Sequence, residues 1–327
     1  MTLAIIGATG LVGSEIIKIL ENEKIERFKN IFFVASLKNV GKKIKYRKKT
    51  YKIISIKKAI QNKPDYALFS AGSKTSMKYA AVFSKKGTTV IDNSSAFRMK
   101  KNIKLIVPEI NKEILKKDDR IIANPNCSTI QLVLAIYPIH KKYKTKRIIV
   151  STYQSVSGTG KRGVDQLQLE EKNKKPKIKA YQKNIHRNVI PKCDIFSENG
   201  YTKEEEKIIN ETNKILNSKI KITATAVRVP TLGGHGESVN IELEKRASIE
   251  QIIGVLKKQK GLFVDEGEKY KTPKEVKNTN GVYVSRIRQD YSIKNGFNMW
   301  IVADPLRKGA ATNAIQILNQ MITLRQQ

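Results

Sequence analysis

One of the chain's two cysteines, Cys127, stands between a short apolar stretch and an apolar helical run. Residues 120–123 favour a buried strand, and the spacing of apolar residues from Ile130 to Tyr137 favours a helix. Cys127 would then lie at a helix N-terminus, where unpaired N–H groups and the positive dipole end stabilise a thiolate and can hold an oxyanion. We interpret it as a nucleophile, although a lone cysteine before a helix is more often structural.

A histidine suited to proton transfer occurs later in the chain. The protein has three histidines, and His235 is the one placed between glycines, in the segment Gly233-Gly234-His235-Gly236. A histidine outside any apolar face is a candidate for acid–base chemistry near neutral pH. His140 and His186 lack such surroundings, so they are predicted to be structural.

The chain begins with a strand, a glycine-rich turn and a helix. Leu3–Ile6 is apolar and leads into Gly7-Ala8-Thr9-Gly10-Leu11-Val12-Gly13, which precedes an amphipathic run. In a dinucleotide-binding turn the first glycine permits the bend, the second lets pyrophosphate approach the backbone, and the third allows close helix–sheet packing. The pattern predicts a nucleotide cofactor contacted by Gly7, Thr9, Gly10, Leu11, Val12 and Gly13.

The end of the second predicted strand, Ile31–Ala35, favours NADP over NAD. NAD sites usually carry an Asp or Glu there for the ribose 2′-hydroxyl, but this chain has Ser36-Leu37-Lys38-Asn39. The Ser36 hydroxyl and the Lys38 ammonium group can instead bind the ribose 2′-phosphate of NADP. We therefore predict NADP as the cofactor, with Ser36 and Lys38 at the phosphate.

The N-terminal part alternates strands and helices. Tyr66–Ser70 and Thr88–Ile91 are predicted strands on either side of a helix near Lys74–Lys85. This alternation predicts a largely parallel sheet.

After the cysteine helix, Lys146–Gln154 predicts a long strand and Lys203–Leu216 a helix, and Gly281–Arg288 and Phe297–Ala303 predict antiparallel strands. A C-terminal helix, which starts near Lys308, is predicted to pack on the first domain.

The predicted fold class is α/β: an N-terminal Rossmann-type dinucleotide-binding domain and a second α+β catalytic domain built on a mixed sheet. The predicted boundaries are 1–127 with 309–327 for the first domain, and 128–308 for the second. Lys172–Lys183 is lysine-rich and predicted to be a surface excursion. Cys193 is predicted to be a small core residue.

The net charge of +34 is a possible sign of nucleic-acid binding, because basic surfaces bind phosphates. However, the excess is mainly lysine and is spread along the chain in pairs such as Lys42-Lys43 and Lys257-Lys258. Recognition surfaces instead concentrate arginine and aromatic residues on one element. We interpret the charge as compositional drift, and expect no specific nucleic acid but weak, salt-sensitive adhesion to polyanions. A basic nucleic-acid-binding protein on a Rossmann scaffold is the alternative from a different class.

Two cysteines with unlike neighbours indicate no disulfide framework and favour a reducing compartment. The first residues carry no basic region or cleavage signal, and no stretch approaches the roughly 20 apolar residues of a membrane span. We expect a cytoplasmic location, no membrane partner and no metal site.

The segment Ala123-Asn124-Pro125-Asn126-Cys127-Ser128-Thr129 resembles, position for position, the active-site turn of aspartate-β-semialdehyde dehydrogenases. Arg228-Val229-Pro230 followed by His235 matches a second family motif, and the resemblance covers nearly the whole chain. It implies NADPH-dependent reduction of L-4-aspartyl phosphate to L-aspartate 4-semialdehyde and phosphate, a step of amino-acid biosynthesis. It also implies a homodimer or homotetramer assembled through the second domain.

The resemblance further implies the role of each catalytic residue. Cys127 would form a thioester with the substrate, assisted by His235 as base and later as acid. Gln154 would orient the acyl group, and the oxyanion would be held by N–H groups at the helix start with help from Asn126. Arg98 and Lys214 match contacts to the substrate phosphate. Glu211 matches a contact to the substrate amine, and Arg228 matches a contact to its α-carboxylate. Five more match cofactor contacts: Ser70, Gly72, Ser157, Gly158 and Asn313.

The chain departs from the family at Lys38, where an arginine is common, and at Ser73, where a glycine is common. The nearest alternative is N-acetyl-γ-glutamyl-phosphate reductase, which performs the same chemistry on an acetylated substrate. Its cysteine turn typically has a glycine where Asn126 stands, and an acetylated amine would not need Glu211.

Overall fold

The computed structural model describes residues 1–22 and 28–326. The first elements in chain order are β1 (Thr2–Ile6), α1 (Leu11–Asn22), β2 (Asn30–Val34), β3 (Lys43–Tyr46), β4 (Lys49–Lys52), α2 (Ile56–Gln61), β5 (Tyr66–Phe69), α3 (Ser73–Lys85), β6 (Thr89–Asp92), β7 (Lys104–Leu105), α4 (Pro108–Asn111) and β8 (Ile121–Ala123). They are followed by α5 (Cys127–Tyr143), β9 (Thr145–Gln154), α6 (Lys161–Glu171), α7 (Lys203–Leu216), β10 (Lys221–Arg228), β11 (His235–Leu243), α8 (Ile249–Lys257), β12 (Leu262–Val264), β13 (Val282–Asp290), β14 (Gly296–Ala303) and α9 (Thr312–Gln326). Within these residues no helix has the length and apolar character needed to cross a membrane.

The chain divides into two compact units. Unit 1 comprises Met1–Pro125 and Ala310–Gln327, and unit 2 comprises Asn126–Gly309. The first boundary therefore falls after Pro125 rather than after residue 127, and the second falls after Gly309 rather than after residue 308. As a result Asn126 and Cys127 belong to unit 2, together with the whole of α5.

Unit 1 is built on a parallel sheet with the strand order β2-β1-β5-β6-β8-β7. Adjacent strands pair in parallel, as between β1 and β5 and between β5 and β6. All residues of β5 and β6 are buried, which is typical of parallel strands covered on both faces. Apolar residues of α9 pack with those of α1 in the core on one face. The predicted Rossmann-type sheet and the packing of the C-terminal helix on the first domain are confirmed.

The glycine-rich turn between β1 and α1 is tightly packed. Gly7 has a φ of +94°, a conformation that favours glycine, and a Cβ there would lie 2.6 Å from the Ser70 carbonyl oxygen. A Cβ on Gly13 would collide with the Gly7 carbonyl oxygen. The first and third glycines thus serve the bend and the close packing expected of them.

A two-stranded hairpin of β3 and β4 was not predicted from the sequence. Lysines occupy most of its exposed positions, while Tyr46 and Tyr51 on its inner face pack on Phe33 of β2. The buried positions are too few, and the strands too short, for a clear period-two signal.

Unit 2 is built on a mixed sheet with the strand order β10-β9-β11-β14-β13-β12. β9 and β10 are parallel, whereas β11 pairs antiparallel with β9 and β14, and β13 with β14. The predicted mixed sheet and its antiparallel pair β13–β14 are confirmed. α5 packs on this sheet, and eleven of its residues are buried. The first turn of α5, which carries Cys127, is held at the end of the sheet where β9 and β10 end and β11 begins.

We expect Gly13→Ala to destabilise the protein by about 1–3 kcal/mol, because the added methyl group overlaps backbone atoms that cannot move independently. Urea unfolding followed by circular dichroism measures the change. The matched control is Gly254→Ala in α8, where the Cβ meets nothing within 4 Å. That helix substitution should stabilise by about 0.5–1 kcal/mol. Equal effects of the two substitutions would contradict the packing argument.

Candidate active site

Asn126 caps the helix that begins at Cys127. Its backbone is extended (φ −62°, ψ 147°), and its side-chain Oδ1 accepts hydrogen bonds from the N–H groups of Ser128 at 3.0 Å and Thr129 at 3.3 Å. Asparagine is a favoured N-cap because it satisfies N–H groups that have no partner within the helix. Two of the amides predicted to hold an oxyanion are therefore already bonded. The prediction of an oxyanion hole built from these amides and Asn126 does not fit this arrangement.

Two glutamates of α7 hold Asn126 in place. Glu211 Oε2 accepts from the backbone N–H of Asn126 at 2.7 Å, and Glu204 Oε1 accepts from its Nδ2 at 2.9 Å. Both glutamates are buried. They are seven residues apart, so they lie on one face of the helix, two turns from each other. Glu204 was not predicted, although this spacing from Glu211 was visible in the sequence.

Glu204 is a buried anion. Burial alone would raise its pKa, but Lys207, Asn126 and Arg228 outweigh that effect and lower it to about 2. Lys207 supplies the direct ion pair, with its Nζ 3.2 Å from Glu204 Oε2. The carboxylate is thus charged at neutral pH and can attract a cationic group to the cysteine turn.

Gln154 ends β9 beneath the same turn. Its Nε2 donates to Ser128 Oγ at 2.9 Å and to Glu204 Oε1 at 3.3 Å. The amide hydrogens therefore support the start of α5. The predicted role of orienting an acyl group through this N–H₂ group is not supported by these contacts.

His235 begins β11 with its ring fully buried. Its Nδ1 lies 3.0 Å from the backbone nitrogen of Ser155, which donates to it. Because an amide nitrogen always carries its hydrogen, Nδ1 is the acceptor and the neutral ring carries its hydrogen on Nε2. Nε2 has no hydrogen-bonding partner in the described part of the chain. His235 thus presents a buried N–H donor.

Burial and the neighbouring Arg228 guanidinium lower the pKa of His235 to about 3, while Glu204 and the Gly234 backbone have smaller opposing effects. The ring is therefore neutral near pH 7. A ring that already carries a hydrogen on Nε2 cannot take the thiol proton there. The predicted role of His235 as a base toward Cys127 does not fit this hydrogen-bonding arrangement.

α5 ties His235 to the cysteine turn. Gln131, one helical turn after Cys127, donates from Nε2 to the His235 carbonyl oxygen at 3.2 Å. Gln131 is buried and was not among the predicted site residues. Its position on the face of α5 that also carries Cys127 was the available signal.

Arg228 ends β10 and is 7% exposed. Its Nη1 donates to the Ser155 carbonyl oxygen at 2.8 Å, and its Nε has no partner among the described residues. A Cβ added to Gly158 would lie 2.7 Å from His235 Nε2 and 3.1 Å from Arg228 Nη1. Gly158 therefore packs closely against His235 Nε2 and Arg228 Nη1, and a side chain at this position would not fit without a shift.

Two predicted cofactor contacts, Ser157 and Gly158, lie in this part of unit 2. Ser157 Oγ is 2.7 Å from Ser155 Oγ and donates to the Gly233 carbonyl oxygen at 3.3 Å. These bonds join the loop after β9 to the loop before β11. Both residues therefore help to shape the surroundings of His235.

Burial separates the two cysteines chemically. Cys193 is 2% exposed, and burial raises the pKa of its thiol to about 12. It is therefore a protonated core residue, as predicted.

Lys214 lies one turn after Glu211 on α7. Burial lowers the pKa of Lys214, and Glu211 opposes that change.

In unit 1, Arg98 is buried and bound to backbone carbonyls. Its Nε donates to Asn124 at 2.9 Å and its Nη2 to Asn93 at 2.7 Å. Arg98 therefore fixes the backbone of Asn124 near the end of the first segment of unit 1. These contacts provide a structural role beside the predicted one in phosphate binding.

Asn313 is fully buried at the start of α9. Its Nδ2 donates to the Ile106 carbonyl oxygen at 2.9 Å and to Asn124 Oδ1 at 2.7 Å. Both amide hydrogens are therefore used within unit 1. These bonds give Asn313 a structural role beside its predicted place near the nicotinamide.

The other predicted cofactor residues of unit 1 surround the glycine-rich turn. Ser70 Oγ donates to the Ile6 carbonyl oxygen at 3.1 Å, and Gly72 precedes α3 with a φ of +83° and open space at its Cβ position. Ser36 and Lys38 are exposed after β2, and Asn39 Nδ2 donates to Thr9 Oγ1 at 3.3 Å. The described residues contain no group of three or more His, Cys, Asp or Glu side chains able to hold a metal ion.

Two family models match the chain in succession. Residues 2–118 match the NAD binding domain of semialdehyde dehydrogenases, and residues 136–308 match their dimerisation domain. Together they cover most of the chain. The protein belongs to the semialdehyde dehydrogenase family.

Curated relatives and solved structures agree with this assignment. The aspartate-semialdehyde dehydrogenase of Aquifex aeolicus is 43% identical over 98% of this chain and 97% of its own length. That of Campylobacter jejuni is 40% identical over 99% and 98%. The structure of aspartate semialdehyde dehydrogenase II from Vibrio cholerae complexed with ASA has a TM-score of 0.94, with 38% identity and 98% of each chain covered.

We expect the His235 ring to remain neutral from pH 8 down to pH 5, with its hydrogen on Nε2. In the unfolded chain the pKa returns to about 6.5, so the unfolded state binds the proton first as pH falls. His235 therefore lowers the free energy of unfolding as pH drops below about 6.5. NMR of ¹⁵N-histidine-labelled protein, with the urea-unfolded protein as control, reports both tautomer and titration. A folded-state signal with hydrogen on Nδ1, or titration near pH 6.5, would contradict this assignment.

Proposed function

We propose that the protein is an NADP-dependent aspartate-semialdehyde dehydrogenase, which converts L-4-aspartyl phosphate to L-aspartate 4-semialdehyde and phosphate through a cysteine thioester. The main observation that supports this proposal is that unit 2 contains both a capped helix N-terminus at Cys127 and two buried donors, His235 Nε2 and Arg228 Nε. Neither donor has a partner among the described residues. Buried polar groups without partners are rare and costly unless a ligand completes them. The family assignment supports the same activity.

The cofactor proposed here is NADP. In the turn between β1 and α1, Gly10 carries no side chain, which suits the approach of a pyrophosphate, and the N-terminus of α1 favours phosphate charge. Exposed Ser36 and Lys38 would take the 2′-phosphate, and no acidic residue stands between Ser36 and Asn39. When bound, the cofactor supplies the hydride that reduces the thioester.

Cys127 acts as the nucleophile in this proposal. The dipole of α5 stabilises its thiolate, which attacks the acyl carbon of the substrate. The bond from that carbon to the phosphate oxygen then breaks, and phosphate leaves with the bonding electrons. The product of this step is an acyl group bound to Cys127 Sγ. After reduction of the thioester carbon, the C–S bond breaks and the thiolate returns.

A donor besides the first amides of α5 can stabilise the developing negative charge on the acyl oxygen. Asn126 Oδ1 already accepts from Ser128 and Thr129, whereas His235 Nε2–H is without a partner in the described structure. We therefore assign the oxyanion to His235 as a neutral hydrogen-bond donor. A buried neutral imidazole avoids placing a second positive charge beside Arg228.

The charges at the site favour aspartyl phosphate over its N-acetylated homologue. Glu204 and Glu211 are buried acids on either side of Asn126. A free ammonium group gains from such carboxylates, whereas a neutral amide does not. Arg228 would hold the α-carboxylate through the edge that carries its unpartnered Nε.

The proposed assembly is a homodimer formed through unit 2, the part of the chain that matches the dimerisation domain. On the outer face of the unit 2 sheet, Tyr153 is 40% exposed and its ring lies 5.7 Å from that of Trp300. Aromatic side chains of this kind are enriched at interfaces.

The direct test is phosphate-dependent reduction of NADP⁺ with L-aspartate 4-semialdehyde, run beside N-acetylglutamate semialdehyde. We expect activity on the first substrate only. Cys127→Ser should reduce kcat by a factor on the order of 10³ or more, because a serine hydroxyl is a far weaker nucleophile than a thiolate. Cys193→Ser is the matched control and should retain activity. Full activity of the Cys127 variant would reject the thioester mechanism.

Cofactor preference provides a second test. We expect Lys38→Glu to weaken NADP binding by about tenfold or more, because it replaces a cation beside the 2′-phosphate by an anion. KM values for NADP and NAD measure this change. Lys258→Glu, which makes the same charge change on unit 2, should leave both values unaltered. Equal use of both cofactors by the unaltered protein would contradict the proposed phosphate site.

A further inference from the structure

The lysine-rich stretch after α6 is anchored to that helix. Gln166 is fully buried, and its Oε1 accepts hydrogen bonds from the backbone N–H groups of Ala180 at 2.7 Å and Tyr181 at 2.9 Å. Its Nε2 also donates to the Tyr181 carbonyl oxygen at 3.4 Å. The surface excursion predicted over Lys172–Lys183 is therefore anchored at its C-terminal end. One side chain fixes the backbone on both sides of Tyr181.

Glu170, one turn further along α6, holds the next part of the segment. Its Oε2 accepts from the N–H groups of Ile185 at 2.7 Å and His186 at 2.9 Å, and its Oε1 accepts from Gln166 Nε2 at 2.8 Å. Burial raises the pKa of Glu170, but these hydrogen bonds and Lys179 together lower it below its ordinary value. An ionised carboxylate thus keeps the segment on α6.

This anchoring brings Tyr181 to the candidate site. Its hydroxyl bonds Thr159 Oγ1 at 2.7 Å, next to Gly158. Its ring packs on a buried apolar cluster of Val156, Leu167, Ile185 and Ile190. The guanidinium carbon of Arg228 lies 6.0 Å from the ring centroid. Tyr181 therefore borders the guanidinium that stands beside His235.

We propose that Tyr181 is a positioning residue whose ring lies beside the Arg228 guanidinium and helps to hold it for a substrate carboxylate. This inference rests on the proposed function. The Ser155 carbonyl already holds Nη1, whereas Nε is a buried donor without a partner among the described residues, and a ligand carboxylate would complete it. A planar carboxylate that lies in the guanidinium plane can form two parallel hydrogen bonds there.

The aromatic ring also strengthens that grip. A cation beside an aromatic face is stabilised by the ring quadrupole, and the ring excludes water that would compete with the carboxylate. Burial raises the pKa of Tyr181, with Arg228 opposing this change, so the hydroxyl stays neutral and adds no charge to the site. The expected contribution is to substrate binding rather than to bond making.

The test uses the full-length protein and the variants Tyr181→Ala and Tyr181→Phe. For Tyr181→Ala we expect KM for L-aspartate 4-semialdehyde to rise about 3- to 30-fold, with KM for phosphate and NADP unchanged and kcat within about twofold. Tyr181→Phe keeps the ring and loses only the bond to Thr159, so its KM values should stay within about threefold of the parent's. Tyr291→Ala, at a residue that is 90% exposed, is the control for loss of a tyrosine.

A second variant separates positioning from folding. Gln166→Met removes the hydrogen bonds to Ala180 and Tyr181 without touching Arg228, and should raise the same KM selectively. Unchanged kinetics in Tyr181→Ala would overturn the proposal. A lower kcat, a rise of all three KM values and a lower Tm in the same variant would also overturn it, because they indicate a structural role only.

A binding measurement keeps the inference distinct from the proposed function. L-Aspartate, which carries the same α-carboxylate and cannot react, should raise the Tm of the parent protein more than that of Tyr181→Ala. A parent protein with no activity on L-aspartate 4-semialdehyde would reject the proposed function. If the Tm shift by L-aspartate still depended on Tyr181, the positioning role would stand; equal shifts in both proteins would overturn it.

Discussion

The site depends on one constraint, the burial of Asn126 between the first turn of α5 and two carboxylates of α7. Its side-chain oxygen caps the helix, its side-chain nitrogen binds Glu204, and its backbone N–H binds Glu211. Because these hydrogen bonds fix Asn126, they also fix the position of the next residue, Cys127, at the start of the helix. The nucleophile is thus placed by groups that do not themselves react. The desolvation of the two glutamates is offset by these hydrogen bonds and, for Glu204, by the ion pair with Lys207.

The same network governs the charge state of the surrounding groups. Glu204 stays ionised despite burial because cations and amide donors surround it. His235 stays neutral because it is buried and faces Arg228. The anion Glu204, the cation Arg228 and the neutral donor His235 are therefore set before any ligand arrives. Such preorganisation avoids reorientation of dipoles while charge develops on a substrate.

Much of the fold was predictable because it depends on patterns that are local in sequence. The glycine-rich turn, the parallel strands of unit 1 and the start of α5 at Cys127 each follow from periodicity or a short motif. The structural partners of Asn126, Gln154 and Asn313 could not be predicted, for a different reason. An amide side chain can serve a ligand or a backbone group, and only tertiary structure shows which partners have already taken its hydrogens.

The anchoring of the segment after α6 has a consequence for how this sequence can evolve. Gln166 and Glu170 bind backbone N–H groups of the segment, not its side chains. Every residue except proline offers the same N–H group. Side chains at the four anchored positions, Ala180, Tyr181, Ile185 and His186, can therefore change to any residue but proline without loss of these hydrogen bonds, whereas a change at Gln166 or Glu170 removes two of them at once.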